Sequence, residues 1–149
     1  MAMQLTEDQE SIRETVERVC LEFEDDYWLE HDESGDFPEE FYRAMADGGW
    51  LGIAMPEEFG GAGLGVTEAS IMMHTVAKTR GAMSAASAIH MNIFGPHAIT
   101  VFGNQEQKER WIPDLIAGEY KSCFGVTEPN SGLNTANLQT RACLLYTSD

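Results

Sequence analysis

Residues 125–135 read Gly125-Val126-Thr127-Glu128-Pro129-Asn130-Ser131-Gly132-Leu133-Asn134-Thr135. A short apolar run opens into a turn of Pro, Asn, Ser and Gly. Such a turn presents backbone N–H groups and small hydroxyls, which suit a planar polar cofactor or a pyrophosphate. A second glycine-rich stretch, Gly60-Gly61-Ala62-Gly63-Leu64-Gly65, invites a nucleotide reading, but its spacing is wrong. From Gly61 it runs GxGxG, with Val66 where a third glycine would fall, and no Gly-Lys-Ser/Thr is present. A structural hinge between helices is the better expectation. His90 and His97 stand at i, i+7 with no Asp, Glu or Cys close in sequence. A metal needs more ligands than that, so both read as satisfied core or cleft histidines. Cys20, Cys123 and Cys143 show no CxxC spacing, which fits a reducing compartment and neither a disulfide framework nor a zinc site.

The elements that would position this chemistry are mostly helical. Thr6 with Gln9 forms a capping box, followed by a stripe at Ile12, Val16, Val19, Cys20, Phe23 and Tyr27 that predicts one helix. Asp36 and Glu39 bracket a second helix start, with Pro38 in its first turn and Phe37, Phe41 and Met45 on one face up to Gly48-Gly49. Thr67 is placed to cap a third, with Ala69, Met72, Met73 and Val76 inward. Residues 81–105 contain no charged side chain. About 20 apolar residues suffice for a membrane span, but Ser84, Ser87, His90, Asn92, Pro96, His97 and Thr100 argue against one. Residues 81–102 are expected to be a single buried core helix. Asn104 with Gln107 caps a further helix, with Trp111, Ile112, Leu115 and Ile116 inward, Pro113 kinking it and Gly118 ending it.

The texture changes after Gly118. Residues 121–127 are β-compatible and bounded by turn residues, which predicts an extended strand. The expected division is a helical domain over residues 1–120 and the opening of a β domain over 121–142. The fold class is therefore mainly α, with the first strand or strands of a β domain at its end.

Charge narrows the partners. The 149 residues carry 9 Lys+Arg against 25 Asp+Glu, a formal charge of −16. Phosphate-rich partners need clustered cations, so nucleic acid and an anionic membrane surface are excluded as expectations. The first residues show no basic, apolar or Arg-rich address, which predicts a cytoplasmic protein.

Four stretches carry a family resemblance. They are Gly49-Trp50-Leu51-Gly52 with the Pro56–Gly63 loop, Phe102-Gly103-Asn104-Gln105-Glu106-Gln107-Lys108 with Trp111-Ile112-Pro113, Gly118-Glu119, and Val126-Thr127-Glu128-Pro129 with Gly132 and Thr140-Arg141-Ala142. In this order and spacing the chain resembles the front part of an acyl-CoA dehydrogenase, a flavoenzyme family. The resemblance implies an N-terminal helical domain, a middle β domain and a C-terminal helical domain, with FAD between the last two. It implies α,β-dehydrogenation of an acyl-CoA thioester, with electron-transfer flavoprotein as acceptor and a homo-oligomeric enzyme. By resemblance, Phe124, Val126 and Thr127 hold the flavin ring, and Gly132 lets the backbone approach the cofactor. Leu133 falls at a cofactor- and substrate-contact position, where it supplies an N–H but no hydroxyl. Where the family has Ser or Thr followed by Asp, this chain has Leu133 and Asn134. The family's carboxylate base lies in its C-terminal domain, so no catalytic residue and no metal ligand is assigned here, and Glu128 reads as structural. An acyl-CoA oxidase or flavin monooxygenase of the same fold, and a non-enzymatic helical interaction module, are the alternatives. Cys143-Leu144-Leu145-Tyr146-Thr147-Ser148-Asp149 resembles a translated sequencing-library transposon end. Residues 143–149 are accordingly expected to be a non-native tail on a fragment that is catalytically silent by itself.

Overall fold

The computed structural model describes residues 4–141; the expected non-native tail lies outside them. Seven α-helices follow in order: α1 (Glu7–Leu21), α2 (Asp25–Ser34), α3 (Glu39–Asp47), α4 (Val66–Lys78), α5 (Ala82–Phe94), α6 (His97–Phe102) and α7 (Gln105–Ile116). The mainly α expectation holds. Helix α1 packs on α4 and α4 on α5, while α3 closes the other side. Val16, Phe41, Met45, Met72, Val76 and Ile89 are all fully buried in the core they share. A smaller cluster of Met55, Phe59, Ile112 and Ile116 lies under α7.

The local start signals work where a side chain can reach back. The Gln9 N–H donates to Thr6 Oγ1 at 3.3 Å, and the Thr6 N–H donates to Gln9 Oε1 at 3.1 Å. The same reciprocal pair opens α7, at 2.9 Å both ways between Asn104 and Gln107. Each box satisfies two N–H groups that a helix start leaves orphaned.

Tertiary contacts override the longer patterns. The stripe running to Tyr27 is split, because α1 ends at Leu21 and α2 restarts after Glu24. The break turns the chain so that Phe23 and Trp28 both meet Phe41, with ring centroids 5.4 and 5.1 Å apart. Asp36 does not cap α3; Pro38 precedes its first turn, and Phe37 stays 41% exposed against the Tyr42 ring. Helix α4 is capped at Gly65, not Thr67, because the Glu68 carboxylate accepts the Gly65 N–H at 3.1 Å and the Gln9 amide at 2.9 Å.

The expected core helix over residues 81–102 is two helices. Pro96 has no N–H to continue the ladder and its ring opposes a straight helix, so the chain bends at Gly95-Pro96. Helix α5 buries Ala85, Ala86, Ile89, Asn92 and Ile93, whereas α6 buries none of its residues and leaves Phe102 86% exposed. His90 and His97 thereby fall on different helices. His90 Nδ1 lies 3.1 Å from the Ser87 carbonyl, and His97 is exposed rather than in the core. Among the described residues no cluster of three or more His, Cys, Asp or Glu could hold a metal. No helix among them is long and apolar enough to cross a membrane.

The glycine-rich loop is a packed hinge. Ala62, Gly63 and Leu64 donate their N–H groups to the carbonyls of Gly52, Met55 and Ile53, at 3.0, 2.8 and 3.0 Å. Donors engaged in this way cannot cradle a phosphate. Gly61 is fixed by contact, since a Cβ there would sit 2.1 Å from the Met55 carbonyl oxygen.

Gly81 sets the α4–α5 corner. A Cβ on it would lie 2.4 Å from Trp28 Cζ2 and 2.7 Å from the Ala85 Cβ. Gly81→Ala is expected to destabilise the fold by about 1–3 kcal/mol through overpacking. Denaturant unfolding followed by circular dichroism checks this against Gly132→Ala, whose Cβ would meet nothing within 4 Å.

Candidate functional site

Helix α7 ends at Ala117, and Gly118 turns the chain back with φ 71°. Residues 119–122 are then tied to the bundle. Arg43 pairs with Glu119 at 3.0 Å, and Lys121 Nζ pairs with Glu39 at 2.6 Å and lies 4.0 Å over the Phe37 ring. The hydrogen bond from Lys121 holds the Glu39 carboxyl below the usual carboxylate range.

Beneath these surface pairs lies a buried one. The Asn92 side chain of α5 is 2% exposed. Its Nδ2 donates to Tyr42 Oη at 2.8 Å, to the Tyr120 carbonyl at 2.7 Å and to the Leu115 carbonyl at 3.2 Å. Its Oδ1 accepts the Ser122 N–H at 2.9 Å, and Ser122 Oγ donates to the Met91 carbonyl at 2.6 Å. Burial pushes the Tyr42 phenol up, which keeps it a neutral member of this network. Sequence reasoning passed over Asn92 as one polar residue among several in an uncharged run. Its position with Ala85 and Ile89 at i, i+4, i+7 spacing was the available signal.

Beyond Ser122 the chain changes character. Phe124, Val126 and Thr127 are exposed and lie close together along residues 123–127. Among the described residues no hydrogen bond engages the backbone of 123–127. The expected strand is not formed as a ladder, since a strand requires a neighbour to pair with and none of the described segments lies beside it. The nearest approach is an isolated bridge between Glu128 and Ser131.

The following turn is closed by Glu128. Its carboxylate accepts from the Thr140 hydroxyl, from the Thr140 N–H at 2.6 Å and from the Gln139 N–H at 2.8 Å. These bonds, the Thr140 hydroxyl first, hold the carboxyl below its usual range. Ser131 is buried and its Oγ donates to the Asn134 carbonyl at 2.7 Å. Gly132 and Leu133 stand outside this closure. Leu133 is fully exposed, and a Cβ on Gly132 would face open space.

The residues singled out from sequence thus fall on two neighbouring exposed pieces, Phe124, Val126 and Thr127 on one and Gly132 and Leu133 on the next. Unpaired backbone groups beside open space fit the polar edge of a flavin ring, which needs donors and acceptors that the fold has not consumed. A cavity of about 610 Å³ lies elsewhere, between α1 and α4, among Leu5, Arg13, Val66, Ile71, His74 and Lys78. Among the described residues no carboxyl whose pKa is displaced is raised; Glu39, Glu68 and Glu128 are all lowered, each chiefly by a side-chain hydrogen bond. A general base for abstracting a weakly acidic proton is tuned the other way.

Comparison with known proteins decides the family. Residues 6–119 match the family described as acyl-CoA dehydrogenase, N-terminal domain. The chain belongs to the acyl-CoA dehydrogenase family. It is 33% identical over 140 residues to the mitochondrial isovaleryl-CoA dehydrogenase of Bos taurus, covering 93% of this chain and 33% of that protein. It is also 33% identical over 111 residues to an acyl-CoA dehydrogenase of Bacillus subtilis (strain 168), covering 74% and 29%. A solved structure described as the electron transferring flavoprotein of Acidaminococcus fermentans, concerned with flavin-based electron bifurcation, contains a chain similar in fold. That likeness has a TM-score of 0.81 at 27% identity, covering 93% of this chain and 36% of the other. The chain spans about a third of the length of the curated relatives it matches.

Glu128 ionisation should be visible in the turn it closes. A lowered folded pKa means stabilisation that is complete above the unfolded value, roughly 4.3, and is lost as pH falls through the folded value. Amide hydrogen-exchange protection factors at Gln139 and Thr140 are expected to hold at neutral pH and to collapse in acid. Glu128→Gln should lack much of that protection at neutral pH.

Proposed function

We propose that the protein carrying this chain is an FAD-dependent acyl-CoA dehydrogenase. It would remove hydrogens from the α and β carbons of an acyl-CoA thioester. Support comes from the family membership together with the exposed, unpaired backbone of residues 123–127 next to an open Gly132. In this reading residues 1–120 are the N-terminal helical domain and 121–142 open the middle β domain.

Phe124, Val126 and Thr127 would hold the flavin ring, with the Thr127 hydroxyl and free N–H groups bonding its polar edge. Such donors favour the electron-rich reduced ring, and because the chain positions them beforehand they need little reorganisation. Bound FAD would supply the hydride acceptor. Gly132 leaves room for close approach, and Leu133 offers its N–H and an apolar side chain near the substrate edge. The carboxylate base is placed in the part of the family's length that this chain does not span. The acceptor in the proposal is an electron-transfer flavoprotein, in keeping with how the similar solved structure is described. A homo-oligomer and a cytoplasmic location complete it, the latter in keeping with the free thiols of Cys20 and Cys123.

The test is to purify the intact protein, incubate it with FAD and follow acyl-CoA-dependent reduction of an artificial acceptor. A yellow protein with turnover is expected; one that stays colourless sinks the reading. Oxygen consumption in place of acceptor reduction would indicate the oxidase or monooxygenase alternative.

Thr127→Val is expected to weaken FAD binding about three- to tenfold, the loss of one net hydrogen bond of about 0.5–1.5 kcal/mol. Gly132→Ala should weaken FAD binding while leaving the unfolding midpoint unchanged. Residues 1–149 alone should show no turnover above background.

A further inference from the structure

We propose that Asn92 is a positioning residue for the flavin site, its buried amide fixing the register in which residues 123–127 leave the helical bundle. This rests on the reading above, that those residues hold FAD.

Asn92 is directional in a way its neighbours are not. The Ser122 N–H can only donate, and the Tyr120 and Leu115 carbonyls can only accept. Oδ1 must therefore face Ser122, and Nδ2 must face the two carbonyls. Tyr42 Oη accepts from Nδ2 at 2.8 Å and donates to the Tyr120 carbonyl at 3.3 Å, so α3 shares in the arrangement. Met91, the preceding residue of α5, accepts the Ser122 hydroxyl. One site on α5 thus grips the chain at residues 120 and 122, immediately before Phe124.

Register matters at this position because, in the reading above, Phe124, Val126 and Thr127 must each reach a particular part of the ring. A slip by one residue would put Cys123, Gly125 and Val126 where Phe124, Val126 and Thr127 stand, with no hydroxyl at the last position. Other ties to residues 119–122 are the backbone bonds from the Glu119 and Tyr120 N–H groups to the Asp114 carbonyl, at 2.9 and 3.3 Å, which stop short of Lys121, and the Arg43–Glu119 and Lys121–Glu39 pairs, with side chains about half exposed. Exposed pairs of this kind hold geometry weakly. Among the described residues, Ser122 is the last before residues 123–127 that the bundle holds by hydrogen bonds. Asn92 adds no hydrogen bond to α1 or α4, so weakening it should release the segment while the core persists.

The experiment uses the intact flavoprotein and the variants Asn92→Asp, Ser122→Ala and Met72→Ala. Asn92→Asp keeps the shape but turns an oxygen toward the Tyr120 and Leu115 carbonyls. Met72→Ala opens a cavity in α4, which supplies none of these hydrogen bonds. FAD dissociation constants, the visible spectrum of bound flavin and melting temperatures are measured for each. Asn92→Asp is expected to weaken FAD binding by about tenfold or more and to shift the flavin bands toward those of free FAD. Ser122→Ala should give a smaller change in the same direction with nearly unchanged melting. Met72→Ala should melt lower with wild-type affinity and spectrum. If Asn92→Asp does not fold, Ser122→Ala decides alone, and wild-type flavin properties in it overturn the proposal. Wild-type affinity and spectrum in Asn92→Asp overturn it, as does an equal loss in Met72→Ala. A wild-type protein that binds no FAD overturns the functional reading itself, and this proposal with it.

Discussion

A buried primary amide has to be paired on every side, and this requirement at Asn92 organises one end of the bundle. Leaving such a group half-paired costs about 1–3 kcal/mol for each unsatisfied partner. Satisfying it draws four pieces of chain together: α3 through Tyr42, α5 itself, the end of α7 through Leu115, and residues 120–122. The approach demands the turn at Gly118. A Cβ there would sit 2.9 Å from the Ala46 Cβ and 3.1 Å from Tyr42 Cε1, so a side chain would push the returning strand of chain off α3. Gly118 thus couples backbone geometry to a polar contact many residues earlier in the chain. The apolar clusters supply most of the driving force for folding, but they are not directional. The amide decides how the chain leaves them.

Charge has a different role. Four of the nine cations are set against carboxylates at the surface: Arg13 with Glu10, Arg43 with Glu119, Arg80 with Glu24 and Lys121 with Glu39. Each such pair contributes little, of order 0–1 kcal/mol. Their effect is to pin helix ends and corners, as Arg80 does where α4 gives way to α5 opposite the start of α2. The remaining excess of carboxylates leaves the chain with a formal charge of −16. In the proposed reading, this chain would contribute to flavin affinity through backbone groups and shape rather than through a field of cations.

What could be read in the sequence divides by distance. Thr6–Gln9 and Asn104–Gln107 were readable because each box closes within one turn. Phe41, Met45, Ile112 and Leu115 were readable because burial follows helical period. The break between α1 and α2 was not, because the stripe continues to Tyr27 and the bend is rewarded only when Phe23 and Trp28 find Phe41 from another helix. Pro96 was visible, but the long uncharged run around it suggested one core helix, and only the fold shows α6 turned outward. Trp111 illustrates the same limit: its period points inward with Ile112 and Leu115, yet it stays 37% exposed beside Tyr120. The strand over residues 121–127 depends on a pairing partner, which no local pattern can supply. For the proposed site, residue types and order were readable from the signature, while the tie that holds residues 120 and 122 comes from Asn92 and Tyr42, distant in sequence.

The two polar closures on either side of residues 123–127 have a shared consequence. On one side the chain is fixed at Tyr120 and Ser122 by the buried amide. On the other, Glu128 gathers Gln139 and Thr140 into a closed turn. Between them the backbone makes no hydrogen bond within the described chain. A segment tied at both ends samples fewer conformations than a free one, yet its donors and acceptors remain available. Fixing one residue of a free chain costs about 1–2 kcal/mol, and a ligand that meets a segment already restricted need supply less of that. Ties outside the segment and none inside it therefore leave its backbone restricted with its donors and acceptors available. A planar ring with a polar edge is the kind of partner such a surface suits, because it requires several backbone groups in line and little side-chain rearrangement.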